Sequence, residues 1–164
     1  MSVLIRSARL DDAEAIRGIY NHEVAHGTAT FDIEPRTLAE QRDWLTERSG
    51  AHVVLVAEID DEVVGFGSLS RYKPRAAYSG TVENSVYVDS DRQGQGIGLG
   101  LLEALVAKAR DHGFHTLIAR IGHESEGSIA VHAKAGFVEI GREREVGRKF
   151  GRWLDVVIMQ RMVS

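Results

Sequence analysis

Residues Thr81–Leu102, TVENSVYVDSDRQGQGIGLGLL, decide the architecture. Thr81 to Val88 is β-branched or aromatic at almost every second place, which predicts a strand. Asp89, Ser90 and Asp91 end it. Gly94, Gly96, Gly98 and Gly100 then alternate with Gln95, Ile97 and Leu99. From Ile97 the apolar residues fall at helical spacing, through Leu101, Leu102, Leu105, Val106 and Ala109. The stretch therefore reads as strand, glycine turn, helix.

Such a turn points to an anion. Glycines let the backbone approach a ligand closely, because no Cβ stands in the way. The first N–H groups of a helix lack internal partners, and the helix dipole adds partial positive charge there. A phosphate or pyrophosphate suits that position. Spacing excludes two nucleotide motifs. A G-x-G-x-x-G fingerprint would place its last glycine at Leu99 or Leu101, and a Walker A loop needs a lysine where none occurs before Lys108. What remains is Gln93-x-x-Gly96-x-Gly98. This resembles the pyrophosphate signature of the GCN5-related N-acetyltransferases (GNAT), placed as in that superfamily between an extended strand and an amphipathic helix.

Outward from this centre, the chain of 164 residues reads as one domain, 1–164, long enough for a core of its own. A hydrophobic share of 43% and a charged share of 27% are ordinary for a globular protein, and the net charge of −4 argues against general nucleic-acid binding. There is no cysteine, so disulfides, a catalytic thiolate and cysteine-bound zinc are excluded. The opening MSVLIRSARLDD resembles neither a signal peptide nor a membrane span, and a cytoplasmic location is expected. The seven histidines are read as lacking a metal-ligand spacing, so no metal is expected.

Taken in order, the pattern predicts a strand over 3–8 and a helix from Leu10 to about Ala25. Gly27–Pro35 forms a loop, and a second helix starts at Thr37 and stops at Ser49-Gly50. Strands over 53–59 and 63–72 are joined through Asp60-Asp61-Glu62. A loop over 73–80 precedes the central strand and helix. A strand over 116–121 and a helix capped by Ser125 or Ser128 and running to Ala135 come next. Two closing strands, 137–145 and 153–162, flank a loop at Gly147–Arg152. The order β-α-α-β-β-β-α-β-α-β-β is a mixed α/β pattern. It matches the order of the GNAT (acyl-CoA N-acyltransferase) fold, whose mixed central sheet is flanked by helices.

Three blocks narrow the resemblance: GTVENSVYV at 80–88, IAVHAKAGF at 129–137 and GRKFGRWLDVVIMQ at 147–160. Together they are similar to the phosphinothricin and methionine sulfoximine N-acetyltransferase branch. The resemblance implies acetyl transfer from acetyl-CoA to the α-amino group of a small amino-acid analogue, in a homodimer. It implies backbone contacts from Val86, Tyr87 and Val88 to the pantetheine arm. Gln93, Gly94, Gln95, Gly96, Ile97, Gly98 and Leu99 would hold the pyrophosphate. Ser125 stands where the branch usually has an asparagine touching the CoA arm, a contact that Ser125 keeps directly, makes through a water, or yields to Ser128.

Glu83 matches the branch's Thr-Val-Glu at 81–83. A carboxylate with its pKa raised by burial can take the proton of an attacking amine, or simply bind the ammonium, and sequence leaves both open. His132 replaces a tyrosine that protonates the leaving thiolate in many relatives; a packed helix histidine is the other reading. Asn84 departs from the histidine common in related chains. Asn84 and Ser85, with Phe31, the stretch YNHEVAHGTATFD at 20–32 and the loop Lys73, Pro74 and Arg75, complete the substrate side that the resemblance implies; the two cations either face the acceptor's acid group or are solvated loop charges. Two other functions fit the same residues: acetyl transfer to a peptide N-terminus, polyamine or antibiotic, and a non-catalytic acyl-CoA-binding module.

Overall fold

A computed structural model describes residues 2–48 and 50–164. Its centre is a seven-stranded mixed sheet in the order β1-β2-β3-β4-β5-β7-β6. The strands are β1 (Leu4–Ser7), β2 (Val54–Ile59), β3 (Glu62–Arg71), β4 (Thr81–Val88), β5 (Thr116–Gly122), β6 (Val138–Lys149) and β7 (Arg152–Met162). Four helices cover the sheet: α1 (Ala13–His26), α2 (Leu38–Thr46), α3 (Ile97–Asp111) and α4 (Glu126–Lys134).

Period-two alternation along the strands divides the core between two faces. Val54, Val56 and Phe66 pack under α1, against Ile16, Ile19, Tyr20 and Val24. Leu55, Ala57, Val82 and Leu117 face the other way, against Ile97, Leu101, Leu102 and Leu105 of α3. Gly67 lets α3 settle on the sheet, since a Cβ there would come within 2.8 Å of Leu105. Asp12 and Arg6 tie α1 to the edge strand. Arg6 donates to Asp12 at 2.8 and 2.9 Å and to Glu58 at 2.8 Å, and its guanidinium holds the Asp12 carboxyl below the usual range.

Most predicted elements appear within a residue or two of their expected bounds. The first helix opens with a 3-10 turn at Leu10–Asp12 before α1. Thr37 caps α2 with a reciprocal Thr37–Glu40 box. The helix ends at Thr46, ahead of the predicted stop; of that pair, Ser49 lies outside the described residues. Ser125 occupies the N-cap of α4 but makes no side-chain capping bond, and Ser128 lies within the helix. The largest difference is at the end. The predicted loop at Gly147–Arg152 is a two-residue turn, Phe150-Gly151, with φ of 54° and 74°. β6 continues to Lys149 because irregularities between Glu139/Gly141 and Glu143/Gly147 break its alternation without breaking its pairing to β7.

Among the described residues, no helix is long and apolar enough to cross a membrane.

Candidate active site

The site begins where two strands part. β4 pairs with β3 along its whole length, from Val82 opposite Arg71 to Val88 opposite Gly65. With β5 it pairs in parallel only at Thr81–Glu83, opposite Thr116–Ile118. Beyond that point β5 stays with β7, so 84–88 and 119–122 diverge. A cleft of about 580 Å³ opens between them, lined by Asn84–Val88 on one side and Ala119–Ile121 on the other. Each strand offers this cleft a row of backbone groups that have no ladder partner, which suits an extended, amide-bearing chain.

A backbone cradle closes one end. Asp89 Oδ1 accepts the Asp91 N–H at 2.9 Å and turns the chain out of β4. Gly94 and Gly96 then take φ of 76° and 80°, a region that favours glycine. Gly96 is the N-cap of α3 and has no side chain to satisfy the helix's first donors. The first internal helix bond runs from Gly100 N–H to the Gly96 carbonyl at 3.0 Å, which leaves the N–H groups of Ile97, Gly98 and Leu99 unpaired in the helix. Buried Ile97 anchors the turn, while Gln93, Gly94, Gln95 and Gly96 are exposed. The donors, the dipole and the open approach suit the pyrophosphate of a CoA ester.

Glu83 is the last β4 residue paired with β5, so it marks the fork itself. Burial pushes its carboxyl above the usual carboxylate range, with the charge of Arg120 working against the rise. Asn84 points to the opposite face and is 4% exposed, as is His132 on α4. His132 Nδ1 lies 2.7 Å from the Ser128 carbonyl, which can only accept, so Nδ1 carries the proton. Nε2 then accepts from the Asn84 amide at 3.0 Å. Burial lowers the His132 pKa, the Ser128 carbonyl opposing this. The imidazole is thus held neutral, with no proton on Nε2. Asn84 Oδ1 is left buried without a hydrogen-bond partner among the described residues.

Of the residues singled out in the sequence, the structure gathers Asn84, Ser85, Val86, Tyr87, Val88, Gln93, Gly94, Gly96, Ile97, Gly98, Leu99, Ser125, Ser128 and His132 around the cleft. Gln95 sits in the cradle with its side chain exposed. Lys73, Pro74 and Arg75 stand outside the cleft on an exposed loop, where Lys73 Nζ lies over the rings of Tyr72 and Tyr78 at 5.0 and 5.2 Å. Phe31 is packed on Gly147 of β6.

From the stretch 20–32, His22, Glu23 and Ala29 line the cleft; sequence reading missed Arg120 and Glu124. Arg120 shares the Glu83 face of the sheet and pairs with Glu143. Arg152 donates to both Glu124 oxygens, at 2.8 and 2.6 Å, and holds that carboxyl down at about 2. A signal was present at residues 22–26, which read His-Glu-Val-Ala-His. That spacing corrects the statement that the histidines lack one: it sets His22 and His26 on one helical face, with ring centroids 4.7 Å apart. No third His, Cys, Asp or Glu ligand gathers there among the described residues, and Glu23 Oε1 instead accepts the Ala29 N–H at 3.0 Å.

Comparison with known proteins agrees with this geometry. Residues 5–158 match the family described as Acetyltransferase (GNAT) domain. The chain is 39% identical over 162 residues to an L-methionine sulfoximine/L-methionine sulfone acetyltransferase of Pseudomonas paraeruginosa, covering 98% of this chain and 94% of that one. It is 42% identical over 162 residues to a phosphinothricin N-acetyltransferase of Alcaligenes faecalis, covering 98% and 82%. The crystal structure of a GNAT superfamily phosphinothricin acetyltransferase from Sinorhizobium meliloti in complex with AcCoA superposes with a TM-score of 0.95 at 35% identity, covering 99% and 89%. With its forked β4–β5 pair, its glycine cradle and these matches along nearly its whole length, the chain belongs to the GNAT acetyltransferase family.

Proposed function

We propose that this protein transfers the acetyl group of acetyl-CoA to the α-amino group of a small amino-acid analogue of the methionine sulfoximine, methionine sulfone or phosphinothricin type. One observation carries the reading: a cleft between the parted strands with an N–H cradle at Gly94–Leu99, its β4 wall beginning at Asn84, one residue past the partly buried carboxylate Glu83 at the fork of β4 and β5. The cradle binds the pyrophosphate, and the free edge at Val86–Val88 pairs with the pantetheine amides. The acceptor amine gives its proton to Glu83 and attacks the thioester carbon. A strand N–H near Val86–Val88 holds the oxyanion. The C–N bond forms, the C–S bond breaks, and the thiolate leaves and takes up a proton. No cysteine exists to carry a covalent acetyl group, which favours direct attack.

His132 is the candidate for that last proton. It can act only after taking up a second proton and releasing the Asn84 amide, since Nε2 is now an acceptor. Arg120, in the cleft beside Glu83, is the cation placed to meet the acceptor's acid group. Lys73, Pro74 and Arg75 are exposed outside the cleft, so their part in acceptor binding depends on the pairing of two copies. We take the chain to act as a cytoplasmic homodimer. The last hairpin supports the pairing, because Val138, Ile140, Val146, Phe150 and Trp153 are each half exposed or more.

The reading is tested by thiol release from acetyl-CoA with L-methionine sulfoximine, L-methionine sulfone, phosphinothricin, spermidine and a short peptide. Turnover with the first three is expected. Turnover confined to spermidine or peptide overturns the acceptor. Silence with all five, when calorimetry shows CoA bound, leaves an acceptor outside the panel or a binding module.

A further inference from the structure

The segment between α1 and α2 walls the cleft through Ala29, and other elements hold it in place. Thr28 Oγ1 donates to Glu124 Oε1 at 3.2 Å, beyond the end of β5. The Thr30 and Tyr20 hydroxyls are 2.9 Å apart. The Phe31 ring lies so close to Gly147 of β6 that a Cβ there would come within 2.3 Å of it. Amid these contacts lies the amine of Lys149, the last residue of β6. Lys149 is 4% exposed, and its Nζ donates to the Thr30 carbonyl at 2.9 Å and to the Glu23 carbonyl at 3.4 Å.

A buried ammonium is costly unless it is well bonded, and packing alone would be served by methionine at that position. The bonds it makes are informative. The Glu23 carbonyl belongs to the last turn of α1, where the negative end of the helix dipole favours a cation. The Thr30 carbonyl belongs to the wall segment itself. One amine therefore joins the end of α1, the wall and the last hairpin.

We propose that Lys149 is a positioning residue for the acceptor: its ammonium clamps the 28–31 wall to β6 and so fixes where an amine sits relative to Glu83. The role in acceptor binding rests on the acetyl-transfer reading; the clamp itself does not. The wall is then a preformed surface over Gly122, on the face of the sheet that carries Glu83 and Arg120, whereas the CoA cradle opens α3 on the other face, so its looseness would be felt by the acceptor more than by the CoA ester.

The test compares wild type with Lys149→Met in two readouts. Hydrogen–deuterium exchange of the amides at 28–32 is expected to quicken in the variant. The acceptor KM is expected to rise about tenfold or more, with the acetyl-CoA Kd from calorimetry unchanged. Unchanged exchange overturns the clamp. Faster exchange with an unchanged acceptor KM overturns the positioning role and leaves a structural lysine. Gly147→Ala displaces Phe31 from the same clamp with Lys149 intact; it is expected to show the same split and decides the question if Lys149→Met does not fold. A wild type silent toward every acceptor overturns the acetyl-transfer reading instead, and the exchange measurement still decides the clamp.

Discussion

Glu83 shows how one residue draws its chemistry from where the backbone divides. As the last β4 residue paired with β5, it is partly buried one residue before the cleft's β4 wall begins at Asn84, and burial raises its pKa. A base with a raised pKa loses its working form early as pH falls. The acceptor kcat/KM should therefore decline through an apparent pKa above the ordinary glutamate value of about 4.3. Glu83→Gln should lower kcat/KM by about 100-fold or more and abolish that limb, while the acetyl-CoA Kd stays the same. A pH–rate profile of both proteins checks this, and identical profiles would remove Glu83 from the reaction. The place of Glu83 in β4 was legible from the strand pattern around Thr-Val-Glu. The pairing of Asn84 with His132 was not, because 48 residues separate them and only the packing of α4 on β4 brings them together.

At the scale of elements, the strand–turn–helix of 81–111 follows from local rules, so sequence sufficed to find it. Alternation gave β4, the glycines gave the turn and the apolar spacing gave α3. The turn's demand is conformational: a Cβ on Gly96 would meet nothing within 4 Å, yet its φ of 80° disfavours any other residue. Gly96→Ala should cost about 1–2 kcal/mol of strain in the cradle. Calorimetry should then show acetyl-CoA bound about tenfold more weakly, with the helix intact by circular dichroism. Affinity equal to wild type would mean that these N–H groups do not hold the ligand. The last hairpin was less legible for a physical reason. Phenylalanine seldom adopts the left-handed conformation it takes at Phe150, and the irregularities near Gly141 and Gly147 hide the strand's period. Arg120 escaped notice because a lone arginine in an apolar strand carries no motif; its place in the cleft comes from the register that sets β5 beside Glu83.

The whole molecule presents one closed face and one unfinished one. α1–α2 and α3–α4 cover the two sides of the sheet, while the β6–β7 hairpin leaves Val146, Phe150 and Trp153 bare. Sedimentation velocity should show a particle of about twice the 18.1 kDa chain mass, and Trp153→Glu should shift it toward the single chain. A wild type that sediments as one chain at all concentrations would reject the pairing. The burial of Lys149 has a chemical consequence of its own. A protein that displays an activated acyl group must live beside its own amines. Of its twenty cationic side chains, four are lysines and sixteen are arginines, which carry charge without offering an acylatable amine at neutral pH. Lys73 and Lys134 point outward, and Lys108 lies on the far helix α3. That leaves the amine nearest the acceptor wall, whose desolvation drives it toward its nucleophilic form. Sealed beneath the hairpin with two carbonyls on its nitrogen, it is shielded from self-acylation by the same packing that shapes the pocket.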